Sequence, residues 1–97
     1  MGKTLTRNGS NISLYKFEDS QHIAQTEDET TVHTGDSSSD VAFIIADCSS
    51  NNSTVHTGVT VPDDWYGWKY IYDGTSWSAN DTFVDPREES EINGKHH

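Results

Sequence analysis

The chain has 97 residues, which predicts a single domain with a small core. Its hydrophobic content is 31%, its formal net charge is −10, and it contains one cysteine. The negative charge disfavours binding to nucleic acid and to anionic membranes, and one cysteine excludes a scaffold built on intrachain disulfides. No apolar run approaches the ~20 residues of a membrane span, and no apolar segment typical of a secretory signal follows the first residues.

The first predicted element is a hairpin around Asn8-Gly9, a dipeptide that tolerates the positive φ angles of a tight turn. A two-residue turn would pair Arg7 with Ser10, and the second strand would run from Ser10 to Phe17. This register places three apolar side chains on one half-buried face: Leu5, Ile12 and Leu14.

The middle of the chain alternates short strand patterns with polar loops. Residues 23–26 and 30–34 are predicted strands, the second of them rich in β-branched side chains. Val41–Ala46 is the most apolar run, and its length predicts a central strand buried on both faces. Cys48 follows it and is predicted to be a small buried hydrophobe. A further strand pattern covers residues 53–61, and Pro62 ends it.

The last third of the chain carries most of the aromatic residues. A strand is predicted over residues 65–72, a hairpin turn at Asp73-Gly74, a returning strand over residues 75–78 and a short strand over residues 82–84. We expect one β domain over residues 1–86 and a flexible acidic tail over residues 87–97. The fold class is therefore all-β: a small antiparallel sandwich or open barrel built from hairpins.

Two histidines lie in an internal repeat. The segment Thr31–Gly35 recurs identically as Thr54–Gly58, through duplication or through chance in a chain rich in Thr and Gly. His33 and His56 would approach each other if the two strands paired, and they are weak candidates for a metal site. A third ligand is not indicated by the spacing, so surface or interface histidines are the simpler interpretation.

Aspartates in predicted loops are the second candidate for chemistry. Calcium prefers several oxygens from flexible loops, but aspartate is also a common turn residue, and the simpler interpretation is favoured at each position. The residues are Asp36, Asp40, Asp47, Asp63, Asp64 and Asp73. No grouping of nucleophile, base and orienting residue is apparent, so we expect no enzyme and no cofactor.

The aromatic strand is the most informative feature. Its alternate side chains would line one face, and three interpretations stay open: core packing between strands, an oligomer interface, or a platform on which sugar rings stack. Packing and interface together are favoured over sugar binding. The candidate binding or interface residues are Trp65, Tyr66, Trp68, Tyr70, Tyr72 and Trp77.

The segment from Val61 to Trp77, together with Phe83–Arg87, resembles small uncharacterised proteins of tailed bacteriophages, especially marine ones. It shares with them a Pro-x-Asp-Trp, Lys-Tyr, Asp-Gly-Thr-x-Trp series, which here begins at Pro62. The resemblance implies a virion- or tail-associated role and carries no catalytic residue with it.

These observations predict a non-enzymatic phage structural or assembly protein that acts through protein–protein contacts. We expect a homo-oligomer that also contacts other virion proteins and is located in the virion or the host cytoplasm. The alternative is a carbohydrate-binding module that uses the aromatic strand face. A weaker third interpretation is an adhesion domain stabilised by a metal ion or by calcium.

Overall fold

The computed structural model describes residues 1–83, which form eight β-strands and no helix. The predicted all-β fold of antiparallel hairpins is confirmed: within these residues the strands form three antiparallel sheets, and no sheet closes into a barrel. Val84 and the predicted tail at residues 87–97 lie outside the described residues. The strands are β1 (Gly2–Arg7), β2 (Ser13–Glu18), β3 (Ile23–Gln25), β4 (Thr30–His33), β5 (Val41–Ile45), β6 (Ser53–Val59), β7 (Tyr70–Tyr72) and β8 (Trp77–Ala79).

The first sheet has the order β2-β1-β6, so β1 is its central strand. The predicted two-residue turn is wrong, because four residues, 8–11, separate Arg7 from Ile12. The Arg7 N–H donates to the Ile12 carbonyl at 3.0 Å, and Leu5 lies opposite Tyr15 instead of Ile12. Asn11 takes a left-handed conformation with φ 60°, which lengthens the connection beyond Asn8-Gly9.

The second sheet has the order β3-β4-β5, so β4 is its central strand. The predicted strands at residues 23–26 and 30–34 are present with slightly shorter bounds. The prediction of a doubly buried central strand at Val41–Ala46 is wrong. β5 is an edge strand, and Ile45 is its one buried residue. It pairs with β4 on one side, and no described strand pairs with its other side.

The third sheet is the hairpin β7–β8, and its turn contains Asp73-Gly74 as predicted. The predicted eight-residue strand over residues 65–72 is wrong, since only its last three residues form a strand. The preceding residues make turns, in which the Trp65 N–H donates to the Pro62 carbonyl and the Lys69 N–H to the Tyr66 carbonyl. Residues 82–83 are not in a strand either.

One hydrophobic cluster joins the first two sheets. Leu5, Leu14 and Phe17 from the first sheet contact Val32 and Ile45 from the second. Cys48 joins this cluster and is 1% exposed, which confirms its predicted burial.

Buried hydroxyl groups extend this small core. The Thr4 and Ser13 hydroxyls are 2.6 Å apart, and the Thr30 hydroxyl donates to the Cys48 carbonyl at 2.8 Å. Within residues 1–83, every buried side-chain nitrogen or oxygen has a hydrogen-bond partner. Threonine and serine therefore occupy interior positions without the cost of an unsatisfied polar group, which explains how a chain poor in aliphatic residues fills its interior.

Candidate protein-interaction surface

The edge strand β5, which we call the β5 edge (Val41–Ile45), exposes more large apolar side chains than any other described strand. Val41 is 50% exposed, Phe43 44% and Ile44 54%. The run is strand-forming because it is rich in β-branched and aromatic side chains. Only one of its neighbours in the sheet is a strand, so its apolar side chains are covered from one side only. Clusters of exposed apolar side chains on a soluble protein mark surfaces for binding other molecules.

The backbone hydrogen bonds of β4 show which groups of β5 face outward. The His33 N–H donates to the His22 carbonyl. Hydrogen-bonded pairs alternate along antiparallel strands, so Ala24 and Thr31 form the next hydrogen-bonded pair between β3 and β4. The amides of Thr30 and Val32 consequently face β5, opposite Ile45 and Phe43. The N–H and C=O of Ile44 therefore point away from β4, where another extended segment can pair with them.

Exposed carboxylates stand at both ends of the β5 edge. Asp40 precedes Val41, and Asp47 follows Ala46. Charged residues beside an apolar edge strand limit unspecific pairing with other chains. The combination of an apolar centre and acidic ends favours a specific arrangement of any strand that pairs there.

Aromatic side chains continue this surface onto the first sheet. The Phe43 ring lies 6.4 Å from Phe17, measured between ring centroids, and Phe17 stacks on Tyr15 at 6.2 Å. Phe17 is buried, whereas Tyr15 on the edge strand β2 is 40% exposed. The apolar surface thus spans the edges of two sheets.

Several residues of the predicted aromatic site serve packing. Tyr72 is buried, with His56 at 5.1 Å in an edge-on arrangement and Trp77 at 4.7 Å between centroids. Trp65 is partly buried, and its indole N–H donates to the Ser13 hydroxyl at 2.9 Å. The Lys16 ammonium lies 5.6 Å from its ring centroid. These contacts fix the loop and the β7–β8 hairpin against the first sheet.

Tyr70 belongs to a polar cluster in the same region. Its hydroxyl donates to Asp64 at 2.6 Å, and the Lys69 ammonium pairs with the other oxygen of that carboxylate at 3.0 Å. The bond from Tyr70, followed by the one from Lys69, lowers the pKa of the Asp64 carboxyl, while the same carboxylate raises the pKa of the Tyr70 phenol. The cluster closes the turn that replaces the predicted strand.

Tyr66 and Trp68 are the exposed members of the predicted set. The Tyr66 ring lies 5.8 Å from Phe83. Trp68 is 53% exposed and has φ 75°, an unusual conformation for a bulky residue. Its N–H donates to the Ser13 carbonyl at 2.9 Å, and its carbonyl accepts from the Asn80 amide at 2.7 Å. Two hydrogen bonds therefore hold a strained backbone that presents an indole ring to solvent.

The two repeat histidines are not brought together. His33 ends the central strand of the second sheet, and His56 lies on an edge strand of the first. The His33 ring instead lies 5.3 Å from His22, and the His56 ring is 3.1 Å from the Thr6 hydroxyl. No group of three or more metal-ligating side chains occurs among residues 1–83.

Two of the loop aspartates serve their own turns. Asp36 accepts from the hydroxyl and then the backbone amide of Ser38, and these bonds lower the pKa of its carboxyl. Asp73 accepts the Ser76 and Thr75 amides, each at 2.8 Å, which lowers its pKa to about 2. These carboxylates act as turn residues, the simpler of their two interpretations.

The β5 edge is not among the binding residues predicted from the sequence. Its signal was present, because a six-residue apolar run lies between two aspartates. Hydropathy alone assigned the run to the interior.

Comparison with protein-family models, with curated proteins and with solved structures finds no match to this chain. In the part of the chain that the structure describes, no helix is long and apolar enough to cross a membrane.

Proposed function

We propose that this protein is a non-enzymatic assembly protein that acts through protein–protein contacts at the β5 edge. The observation that carries the proposal is an edge strand whose outer side no strand within residues 1–83 pairs with, and whose Val41, Phe43 and Ile44 side chains are about half exposed. Its setting in a virion or phage tail is supported by the resemblance of residues 61–87 to small phage proteins, and adjacent tail genes would test that setting.

The unfavourable exposure of apolar side chains supports a binding role for the β5 edge. An apolar edge strand favours aggregation of a soluble protein, because its unpaired backbone groups and exposed apolar side chains can pair with any extended chain. Covering Ile44 would contribute about half of the ~1.5–3 kcal/mol that full burial of such a side chain provides, because Ile44 is already about half buried. A partner strand would satisfy the outward N–H and C=O of Ile44 in the same step.

Two binding measurements test the proposal on the full chain. Sedimentation velocity over a wide concentration range measures self-association, and fluorescence anisotropy measures uptake of a labelled synthetic strand, Lys-Val-Thr-Val-Thr-Val-Lys. We expect the chain to self-associate, to bind the synthetic strand, or to do both. Ile44→Lys should weaken this binding about tenfold or more, which corresponds to a loss of at least ~1.4 kcal/mol of binding free energy. The control Ala79→Lys places the same charge on the exposed edge of β8. Absence of both activities, or equal loss in both variants, would refute the proposal.

A second candidate function is carbohydrate binding at Trp68. The observation that favours it is the exposed indole held at φ 75° by two hydrogen bonds, since backbone strain concentrates at functional sites. Such a ring offers a flat apolar face to a sugar ring. Glycan-array binding that Trp68→Ala abolishes would support this function. Binding that the substitution does not change, or no binding to any sugar, would exclude it.

A further inference from the structure

We infer that His22 and His33 form a binding site for a divalent transition metal ion of the class of Zn²⁺, Ni²⁺ and Cu²⁺. The two residues lie side by side in the second sheet, where β3 begins and β4 ends. Ile23 pairs with Val32, so His22 lies directly opposite His33, and the His33 N–H donates to the His22 carbonyl at 2.9 Å. Imidazole is a preferred ligand of these metals. The site uses no side chain of the β5 edge, so it goes beyond the proposed function.

The separation of the two rings suits two ligands of one ion. A zinc-bound imidazole nitrogen lies ~2.1 Å from the metal, which places the centre of its ring ~3.2 Å from the metal. Two imidazoles at a tetrahedral angle about zinc therefore have ring centres ~5 Å apart. The centroids of the His22 and His33 rings are 5.3 Å apart, and the ring planes are inclined at 52°. Within residues 1–83 no third metal-ligating side chain joins them, so water would hold the remaining positions.

The tautomer of His33 leaves a lone pair for the metal. Its Nδ1 atom lies 3.1 Å from the Ser39 carbonyl oxygen, which can only accept, so Nδ1 carries the proton in this bond. The neutral ring then has its lone pair on Nε2. Histidines that bind metals almost always donate their other ring N–H to a backbone carbonyl, a carboxylate or water. His33 therefore already has the supporting hydrogen bond of a metal ligand.

One short loop holds the two histidines in place. The His22 N–H donates to the Gly35 carbonyl at 2.6 Å. The Gly35 N–H donates to the Ser39 hydroxyl at 2.8 Å, and that hydroxyl donates to the Asp36 carbonyl at 2.7 Å. Ser39 also accepts from His33, so the loop is bonded to both residues of the pair. A site that is ordered before its ligand arrives loses less conformational freedom on binding.

The charge around the pair favours a cation. The hydroxyl of Ser38 and then its backbone amide lower the pKa of the Asp36 carboxyl, and His22 adds a smaller effect of the same sign. His22 therefore lies close to a carboxylate that stays ionised, and the whole chain carries −10. A divalent ion bound by the two imidazoles would be attracted by the same carboxylate.

Calorimetric titration of the full chain with zinc tests the site. The sequence also contains His96 and His97, so the reference chain carries asparagine at both positions. We expect one zinc ion per chain, bound at least about tenfold more weakly after His22→Asn or His33→Asn, because even the loss of a supporting partner costs a metal site about ten- to a hundredfold in affinity. The matched control is His56→Asn, which removes an imidazole outside the pair and should not change the affinity.

NMR spectra of the histidine rings in the unsubstituted chain give a second readout that needs no variant to fold. Zinc should shift the His22 and His33 signals together and leave those of His56 in place. Acidification to about pH 5.5 should weaken binding, because a protonated imidazole has no lone pair for the metal. Calcium should not displace zinc, since calcium prefers oxygen ligands.

Three results would overturn the inference: zinc binding that neither substitution in the pair weakens, binding that is lost when only His96 and His97 are replaced, or zinc addition without a shift of the His22 and His33 signals. The proposed function would survive each of them, because its test measures association at the β5 edge and the effect of Ile44→Lys.

Discussion

Strands β1 and β5 occupy the opposite positions in their sheets to those that their hydropathy predicts. β1 carries Lys3, Arg7 and two threonines, yet it is the central strand of its sheet and contains the fully buried Leu5. β5 has five apolar residues, yet it lies at an edge, and four of them are exposed. The buried threonines of β1 are tolerated because their hydroxyls are hydrogen-bonded. Apolar character that the core does not use is therefore available for binding.

The largest expected effect contrasts truncation at the two strands. Leu5→Ala should lower the free energy of unfolding by about 2–5 kcal/mol, because it leaves a cavity in the cluster shared by both sheets. Ile44→Ala should change it by less than about 0.5 kcal/mol in the monomer, as expected for an exposed position. Urea unfolding at low protein concentration measures both. Equal losses of unfolding free energy in the two variants would show that Ile44 supports the fold as strongly as Leu5 does.

A smaller effect tests the hydroxyl network of β1. Thr4→Val keeps the shape of the side chain but removes one of the two partners of the Ser13 hydroxyl, which also accepts from the Trp65 indole, and the side-chain donor to the Tyr15 carbonyl. We expect unfolding to be easier by about 1–3 kcal/mol, the cost of leaving such buried groups unsatisfied. Thr57→Val on the exposed side of β6 is the control. A neutral result for Thr4→Val would mean that the interior of β1 tolerates apolar replacement.

The histidine beside β1 should make stability depend on pH. Burial lowers the pKa of the His56 imidazole below its ordinary value, so the folded chain takes up this proton less readily than the unfolded chain. The stabilisation is present above about pH 6.5, the ordinary histidine value, and is lost as the pH falls through the lowered pKa. The difference in Tm between pH 7.5 and 5.5 should shrink in His56→Gln. An unchanged difference would place the responsible group elsewhere.

The smallest effect lies outside both strands, in the β7–β8 turn. The pKa of Asp73 falls from 3.8 to about 2 because its carboxylate accepts the Ser76 and Thr75 amides. Its contribution is complete above pH 3.8 and is lost as the pH falls towards 2. Asp73→Ala should lower the Tm slightly, less than Thr4→Val does. An NMR titration of the carboxyl with an ordinary midpoint would contradict the turn geometry.

Local sequence signals predicted much of the fold. Asp73-Gly74 marked a hairpin, and the β-branched run at Thr30–His33 marked a strand, because turn and strand preferences act over a few residues. The eight-residue aromatic strand was wrong because Asp64 fixes a turn through Tyr70 and Lys69, contacts that alternation of side chains does not encode. The position of β5 depends on how strands order within a sheet, which is a long-range property.

The sequence predicted only part of the candidate surface. Trp68 and Tyr66 are exposed, whereas Tyr72, which was predicted as a binding residue with them, is buried. Burial of threonine and serine was not anticipated, although the Thr4, Thr6 and Thr30 side chains are among those that are fully buried.

The shortness of β3 limits how large an assembly of this kind can become. A strand that a partner adds at β5 would extend the second sheet on one side only, and the outer strand on its other side would remain β3. That strand has three residues, and the Gln25 side chain at its end donates to the Ser53 carbonyl and hydroxyl. Very short edge strands are poor templates for adding another chain. Growth of the second sheet would therefore be restricted to its β5 side, and β3 would not continue it into a fibre.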